Sequence, residues 1–186
     1  TTRRTELGFP VLRQCLNVAS HSKADFQFKT STDNLINQIS IQRTTSDHPD
    51  FQELATELEQ DLKIRDGDQY LLYAALNKIN KLPYVVIAYA NGLPTGCGAI
   101  RKLNPSTLEI KRMFVKPANR GQKIATKILT ELEKWSAELG YKNCILETGL
   151  NQPEAIAFYK KNHYLIIPNF GRYIKSKNSI CFKKAL

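Results

Sequence analysis

The spacing of apolar positions changes period several times along the chain, and each change marks an element. Ile39 and Ile41 alternate with polar neighbours, which predicts a half-buried strand over 38–44. Asp47 and Pro49 form a helix-start signal, and Phe51, Leu54, Leu58 and Leu62 follow at helical spacing until Gly67. A second helix is expected over 69–79. Period two then returns. Residues 84–90 are rich in Val, Ile and Tyr, Asn91-Gly92 is a hairpin signal, and 95–103 reads as the return strand. Asn104-Pro105-Ser106 makes the next turn, and 107–115 a third strand. After a short loop bracketed by Pro117 and Gly121, the residues Ile124, Ile128, Leu132, Trp135 and Leu139 form one apolar stripe. They predict a helix over 122–139, stopped by Gly140. On its exposed side Lys127 and Glu131 are spaced to pair. A buried-type strand at 143–148, a short helix at 153–161 and a strand at 164–167 follow. A loop at 168–178 and a last strand at 179–183 complete the pattern. The order β-α-α-β-β-β-α-β-α-β-β predicts an α/β (α+β) domain with a largely antiparallel sheet.

The length of 186 residues suits one domain with a sizeable core. Residues 1–37 show weak periodicity and are expected to be an extension, packed on the domain or partly mobile; the domain proper is 38–186. No apolar run approaches the roughly 18 residues needed to cross a bilayer. The stretch 7–16 is interrupted by Arg13 and Gln14, which makes a poor signal peptide. Arg3, Arg4 and Arg13 among Ser and Thr suit a transit peptide, whereas Glu6 and Asp25 argue against one. Cys15, Cys97, Cys144 and Cys181 are too far apart in sequence to form a zinc or redox pair. Reduced thiols, no metal and a cytoplasmic location are the expectation.

Net charge is +10, but its distribution is more informative than its total. Between Arg101 and Lys127 stand eight basic residues and one acid, Glu109. Between Asp47 and Asp68 stand eight acids and two bases. This asymmetry suggests a polyanionic ligand on one side and a cationic one on the other. The basic residues are scattered through strand and loop patterns without a nucleic-acid module, so nucleic acid is not the expected partner.

The stretch from Leu108 to Tyr164 carries the chemistry. Arg120-Gly121-Gln122-Lys123-Ile124-Ala125 sits where loop becomes helix. Unpaired N–H groups and a partial positive charge at a helix start form an anion site suited to a pyrophosphate. Gly121 permits an unusual backbone angle there, and Arg120 and Lys123 add charge. The run Glu109-Ile110-Lys111-Arg112-Met113-Phe114-Val115, then Pro117, then Arg120 to Ala125, resembles the GNAT superfamily of N-acetyltransferases. Gly140-Tyr141, the strand ending Glu147-Thr148, and Ala155-Ile156-Ala157-Phe158-Tyr159 follow in the family's order. The likeness covers the chain from about Gln38 to its end. The family's phosphate motif, Q/R-x-x-G-x-G/A, here reads R-G-Q-K-I-A. Lys123 stands where the family prefers glycine, Gln152 where many members carry asparagine, and Asn162-His163-Tyr164 replaces a glycine-aromatic pair.

The resemblance implies a GNAT-like mixed, largely antiparallel sheet of about seven strands flanked by about four helices. It also implies transfer of an acetyl group from acetyl-coenzyme A to an amine, directly and without a metal. Residues matching the family's cofactor site are Met113, Phe114, Val115, Arg120, Gly121, Gln122, Lys123, Ile124, Ala125, Thr126, Gln152 and Tyr159. Backbone N–H groups near Met113 and Val115, at a bulge in the strand, would meet the thioester oxygen. An alkylamine is almost wholly protonated near neutral pH, so a proton acceptor is needed. Glu109 matches a general-base glutamate of some members, and Tyr159 a tyrosine placed near the sulfur as proton donor.

For the acceptor, the acidic residues Glu53, Glu57, Asp61, Asp66 and Asp68 suggest attraction of a cationic amine. Tyr70, Tyr73, Phe170, Arg172 and Tyr173 are candidates to shape its pocket. A small-molecule or peptide amine, no membrane, and a monomer or homodimer are expected. The alternatives are a non-catalytic acyl-coenzyme A sensor on the same fold and a basic nucleic-acid-binding domain.

Overall fold

The computed structural model describes residues 38–67 and 81–186, all within the unit Asn37–Leu186. The expected extension 1–37 and helix 69–79, with Asp68, Tyr70, Tyr73 and the Asp66 side chain, lie outside the described residues.

Strands β1 (Ile39–Thr44), β2 (Tyr84–Ala90), β3 (Leu93–Asn104), β4 (Thr107–Val115), β5 (Asn143–Gly149), β6 (Leu165–Ile167) and β7 (Ser179–Ala185) alternate with three helices. These are α1 (Pro49–Asp66), α2 (Ile124–Glu138) and α3 (Pro153–Lys161). The strands form one sheet in the order β1-β2-β3-β4-β5-β7-β6, with β4 and β5 the parallel pair and every other pair antiparallel. This is the mixed, largely antiparallel seven-stranded sheet expected, with three helices among the described residues against about four. The β2–β3 hairpin closes on Asn91 (φ 52°) and Gly92 (φ 78°), both left-handed as a tight two-residue turn requires.

Both faces of the central strands are covered, so they read as nearly continuous apolar runs. On β2, Val85 and Ile87 pack with Phe51, Leu54 and Leu58 of α1, while Val86 and Ala88 pack with Ile128 and Leu132 of α2. Trp135 of α2 meets Tyr84 edge-on at 5.2 Å and carries Arg43 of β1 on its face at 4.8 Å. Arg43 also bonds Glu131 (2.7 Å) and Glu138 (2.5 Å), so Glu131 is engaged across the fold rather than by Lys127.

Two features open the sheet where chemistry is expected. β4 and β5 are paired over Thr107–Glu109 and Asn143–Ile145 and then separate, because β5 continues along β7 instead. β4 also carries a bulge. Cys97 faces Phe114 and Ala99 faces Lys111, so Gly98 alone opposes both Arg112 and Met113. Arg112 takes a left-handed φ of 58° without being glycine, which costs roughly 1 kcal/mol. Its buried guanidinium bonds Glu59 of α1, an ion pair that holds the bulge. Gly98 is what lets it fit. A Cβ there would stand 2.6 Å from Met113 Sδ and 2.8 Å from Leu132 Cδ1. Gly98→Ala is therefore expected to lower stability by about 1–3 kcal/mol through overpacking, measured by chemical denaturation.

Candidate active site

The separation of β4 from β5 makes a cleft. One wall comes from Leu58 and Leu62 of α1 and Ile110, Lys111, Arg112 and Met113 of β4. The other comes from Glu147, Thr148 and Gly149 of β5, then Gln152 just before α3, Ala155 and Tyr159 of α3, with Tyr173 and Asn178 from the loop before β7.

The β4 edge facing this cleft is not satisfied by strand pairing. The Lys116 N–H donates to Thr95, so by alternation the N–H and C=O of Val115 point away from β3. The Val115 carbonyl accepts from Arg120 Nε at 3.1 Å, which ties the following loop to the strand end. Phe114 and Val115 bury their side chains in opposite cores; by the same alternation the Phe114 main chain faces β3, and that of Val115 faces away from it.

That loop runs through a short turn, Pro117–Asn119, into α2. Gly121 has φ 82°, the conformation its freedom was expected to serve. Lys123 is also left-handed, φ 60°, and ends the loop without a side-chain cap. Hence α2 begins at Ile124 and not at 122. The first intrahelical bond of α2 runs from the Lys127 N–H to the Lys123 carbonyl, so the Ile124, Ala125 and Thr126 amides precede any helical partner. No acid lies in this first turn. Gln122, Lys123 and Thr126 are exposed, and Arg120 keeps 41% of its side chain open while lying 3.3 Å from Asp61. The arrangement suits an anion.

Tyr159 is buried on α3, with its ring against Phe158 (5.2 Å), Tyr164 (5.7 Å) and Phe182 (5.8 Å), and lines the cleft. Burial and the nearby Glu147 charge raise its pKa well above the usual tyrosine range, so the phenol keeps its proton at neutral pH. Gln152 precedes α3 and accepts from Thr148 Oγ1 at 3.1 Å.

Glu109 is placed differently. Its side chain is fully buried and absent from the cleft wall. Arg101 binds its Oε2 through Nε and Nη2, both at 2.6 Å, and Tyr173 donates to Oε1 at 3.3 Å. Lys111 Nζ donates in turn to the Tyr173 hydroxyl at 2.7 Å. Glu109 thus meets the cleft through Tyr173 and Lys111. The carboxylate on the cleft wall is Glu147, held by Ser179 Oγ at 2.5 Å and close enough to Tyr159 to raise its pKa. Sequence reasoning did not single out Glu147 as a residue of the cleft. Its available signal was a single acid in an otherwise uncharged strand, 143–149.

The structure therefore gathers Met113, Gln152 and Tyr159 around one cleft and puts Arg120–Thr126 just past the end of β4. Phe170 packs on Tyr173 at 5.5 Å. Cys97 and Cys144 are buried thiols whose pKa values burial pushes up to about 12 and about 11, which makes them poor nucleophiles. Among the described residues no cluster of His, Cys, Asp and Glu is arranged to hold a metal, and no helix is long and apolar enough to span a membrane.

The site thus combines a splayed parallel pair in a mixed sheet, a bulged strand on one side of the fork, and a helix start that follows that strand. The family model described as Acetyltransferase (GNAT) family matches residues 46–164, and the chain belongs to that family. It is 34% identical over 102 residues to an IAA acetyltransferase of Azospirillum brasilense, covering 54% of this chain and 67% of that one. It is 30% identical over 132 residues to an uncharacterized N-acetyltransferase of Schizosaccharomyces pombe, covering 66% and 78%. Among solved structures, a Klebsiella pneumoniae chain described as an acyl-CoA N-acyltransferase superposes with a TM-score of 0.68 at 27% identity, covering 80% of this chain and 98% of that one. A GNAT family acetyltransferase of Elizabethkingia anophelis with acetyl-CoA bound shares the fold, with a TM-score of 0.57, 20% identity and coverage of 80% and 98%.

Proposed function

We propose that this enzyme transfers an acetyl group from acetyl-coenzyme A to a primary amine of a small molecule or peptide, directly within a ternary complex. The observation that carries this reading is the continuity of the cleft. β4 from Ile110 to Met113 and two proton-handling side chains, Glu147 and Tyr159, line one cleft, and the chain leaving β4 leads through a short loop to the unpaired amides that start α2.

The amides of Ile124, Ala125 and Thr126, with Gly121, Gln122 and Lys123 around them, receive the pyrophosphate. Arg120 adds charge nearby while fixing the loop. The exposed edge of β4 from Met113 to Val115 pairs with the pantetheine amides as an added strand would. Gln152 borders the opposite side. Glu147 takes the proton of the acceptor ammonium and passes it to solvent; the freed nitrogen lone pair then bonds the thioester carbonyl carbon, and Glu147 takes the second proton that nitrogen loses. A β4 amide at Met113 or Val115 meets the charge that develops on the carbonyl oxygen. When the carbon–sulfur bond breaks, Tyr159 protonates the leaving thiolate and recovers its proton from Glu147 through cleft water. The products are an amide and free coenzyme A. Glu109 acts one step back, orienting Tyr173 and Lys111.

Incubation with acetyl-coenzyme A and an amine panel tests this. Release of free thiol matched by acetylated amine is expected. Cofactor binding without turnover on any amine would favour a sensor, and steeply salt-dependent binding to nucleic acid would favour the basic binding domain.

A further inference from the structure

The amine-acetylation reading leaves the acceptor unnamed, and the charges around the cleft narrow it. The acidic face of α1, which the sequence offers as a lure for a cation, is neutralised from within. Glu53 and Glu57 hold Lys116 at 3.1 and 2.8 Å, Glu59 holds Arg112, and Asp61 lies 3.2 Å from Arg65 and 3.3 Å from Arg120.

Where β4, β5 and the loop before β7 meet, the balance is positive instead. Lys111 lines the cleft with only 15% of its side chain exposed. One of its three N–H groups goes to the Tyr173 hydroxyl. Glu109 Oε1 lies at 3.5 Å, and the same carboxylate serves Arg101 through its other oxygen, Oε2, at 2.6 Å. Arg172 stands over the same Tyr173 ring at 5.9 Å. Two carboxylates, Glu109 and Glu147, therefore act on Lys111 together with two further cations, Arg101 and Arg172. Burial outweighs the carboxylates and holds the Lys111 pKa below the usual lysine range. Three cations, Arg101, Lys111 and Arg172, thus share two carboxylates, Glu109 and Glu147, at this corner of the cleft. A plain alkylammonium entering here would add a further positive charge, whereas a substrate that carries its own anion would relieve the deficit.

We propose that the acceptor is an amino carboxylate, its carboxylate seated on Lys111 and its amine turned toward Glu147. This rests on the amine-acetylation reading and names the substrate class of the same cleft. Lys111 is then the specificity-determining residue, and Tyr173 positions it.

The test compares length-matched pairs on the intact chain: 4-aminobutanoate against butylamine, and alanine against isopropylamine. For wild type, kcat/KM is expected to favour the carboxylate-bearing member of at least one pair by about tenfold or more, the scale of one charge-assisted contact. In Lys111→Met that preference should fall by about tenfold, mainly through KM, and Lys111→Arg should restore part of it. Thermal melts of both variants report folding, and the wild-type comparison stands without them. Equal use of both members, or a preference that survives Lys111→Met in folded protein, overturns the inference while leaving acetyl transfer to amines intact. Failure to acetylate any amine overturns both.

Discussion

Glu147→Gln is expected to lower kcat/KM for amine acetylation by about 10²–10⁴-fold, the range for removing a proton acceptor from a reacting centre. Glutamine keeps the size of the side chain and an oxygen for the Ser179 hydroxyl, which bonds Glu147 at 2.5 Å, so the packing of β5 on β7 should survive. The loss should shrink as the pH is raised, because a larger fraction of the amine then arrives neutral and has one proton fewer to lose. Glu109→Gln separates the two carboxylates. Glu109 is fully buried and supplies the counter-charge for Arg101 and, in part, for Lys111. Removing one member of such a pair is expected to cost about 3–5 kcal/mol of stability, with activity falling chiefly because Tyr173 and Lys111 lose their orientation. Denaturation midpoints and pH–rate profiles of the two variants distinguish the roles. A Glu147→Gln enzyme with wild-type kcat/KM across pH would remove this carboxylate from the chemistry.

Tyr159→Phe is expected to reduce kcat and kcat/KM together by about 10²-fold, as for a group used only as the thiolate leaves. Stability should change little. The ring contacts with Phe158, Tyr164 and Phe182 depend on the aromatic body, and phenylalanine preserves it. The raised pKa fixes the sign of the pH dependence. The phenol stays protonated through neutral pH, so the wild-type rate should show no loss of the acid until well into the alkaline range. A leaving thiol of lower pKa needs less protonation, so a more acidic thiol carrier should narrow the gap between Tyr159→Phe and wild type. An unchanged gap would argue against proton donation.

Much of this fold is legible in the sequence because its elements differ in apolar period. The strands over 84–115 and the stripe of α2 follow directly from alternation and helical spacing. What the sequence conceals is mostly long-range. The acidic run on α1 looks free until the fold brings Lys116, Arg112 and Arg120 against it from more than 50 residues away. The bulge in β4 carries no glycine of its own. Its left-handed residue is Arg112, and the enabling glycine, Gly98, sits on the neighbouring strand.

The two departures from the family's glycines acquire a reason as well. Lys123 and His163 both adopt left-handed backbone, φ 60° and 67°, the conformation that glycine takes at least cost. Glu109 and Glu147 show the limit most clearly. Both are acids on strands beside the expected thioester, and one-dimensional pattern cannot rank them. Their positions differ at the point where β4 parts from β5: Glu109 is still paired with Ile145, while Glu147 lies beyond the fork and lines the cleft.

The most direct test is an amide-resolved NMR titration of the folded chain with coenzyme A. Saturable shifts centred on Val115, Ile124, Ala125 and Thr126 are expected, together with changes at Gln152. No shift at any coenzyme A concentration, or shifts confined to residues away from β4 and the start of α2, would contradict the central claim that this fork receives the nucleotide thioester.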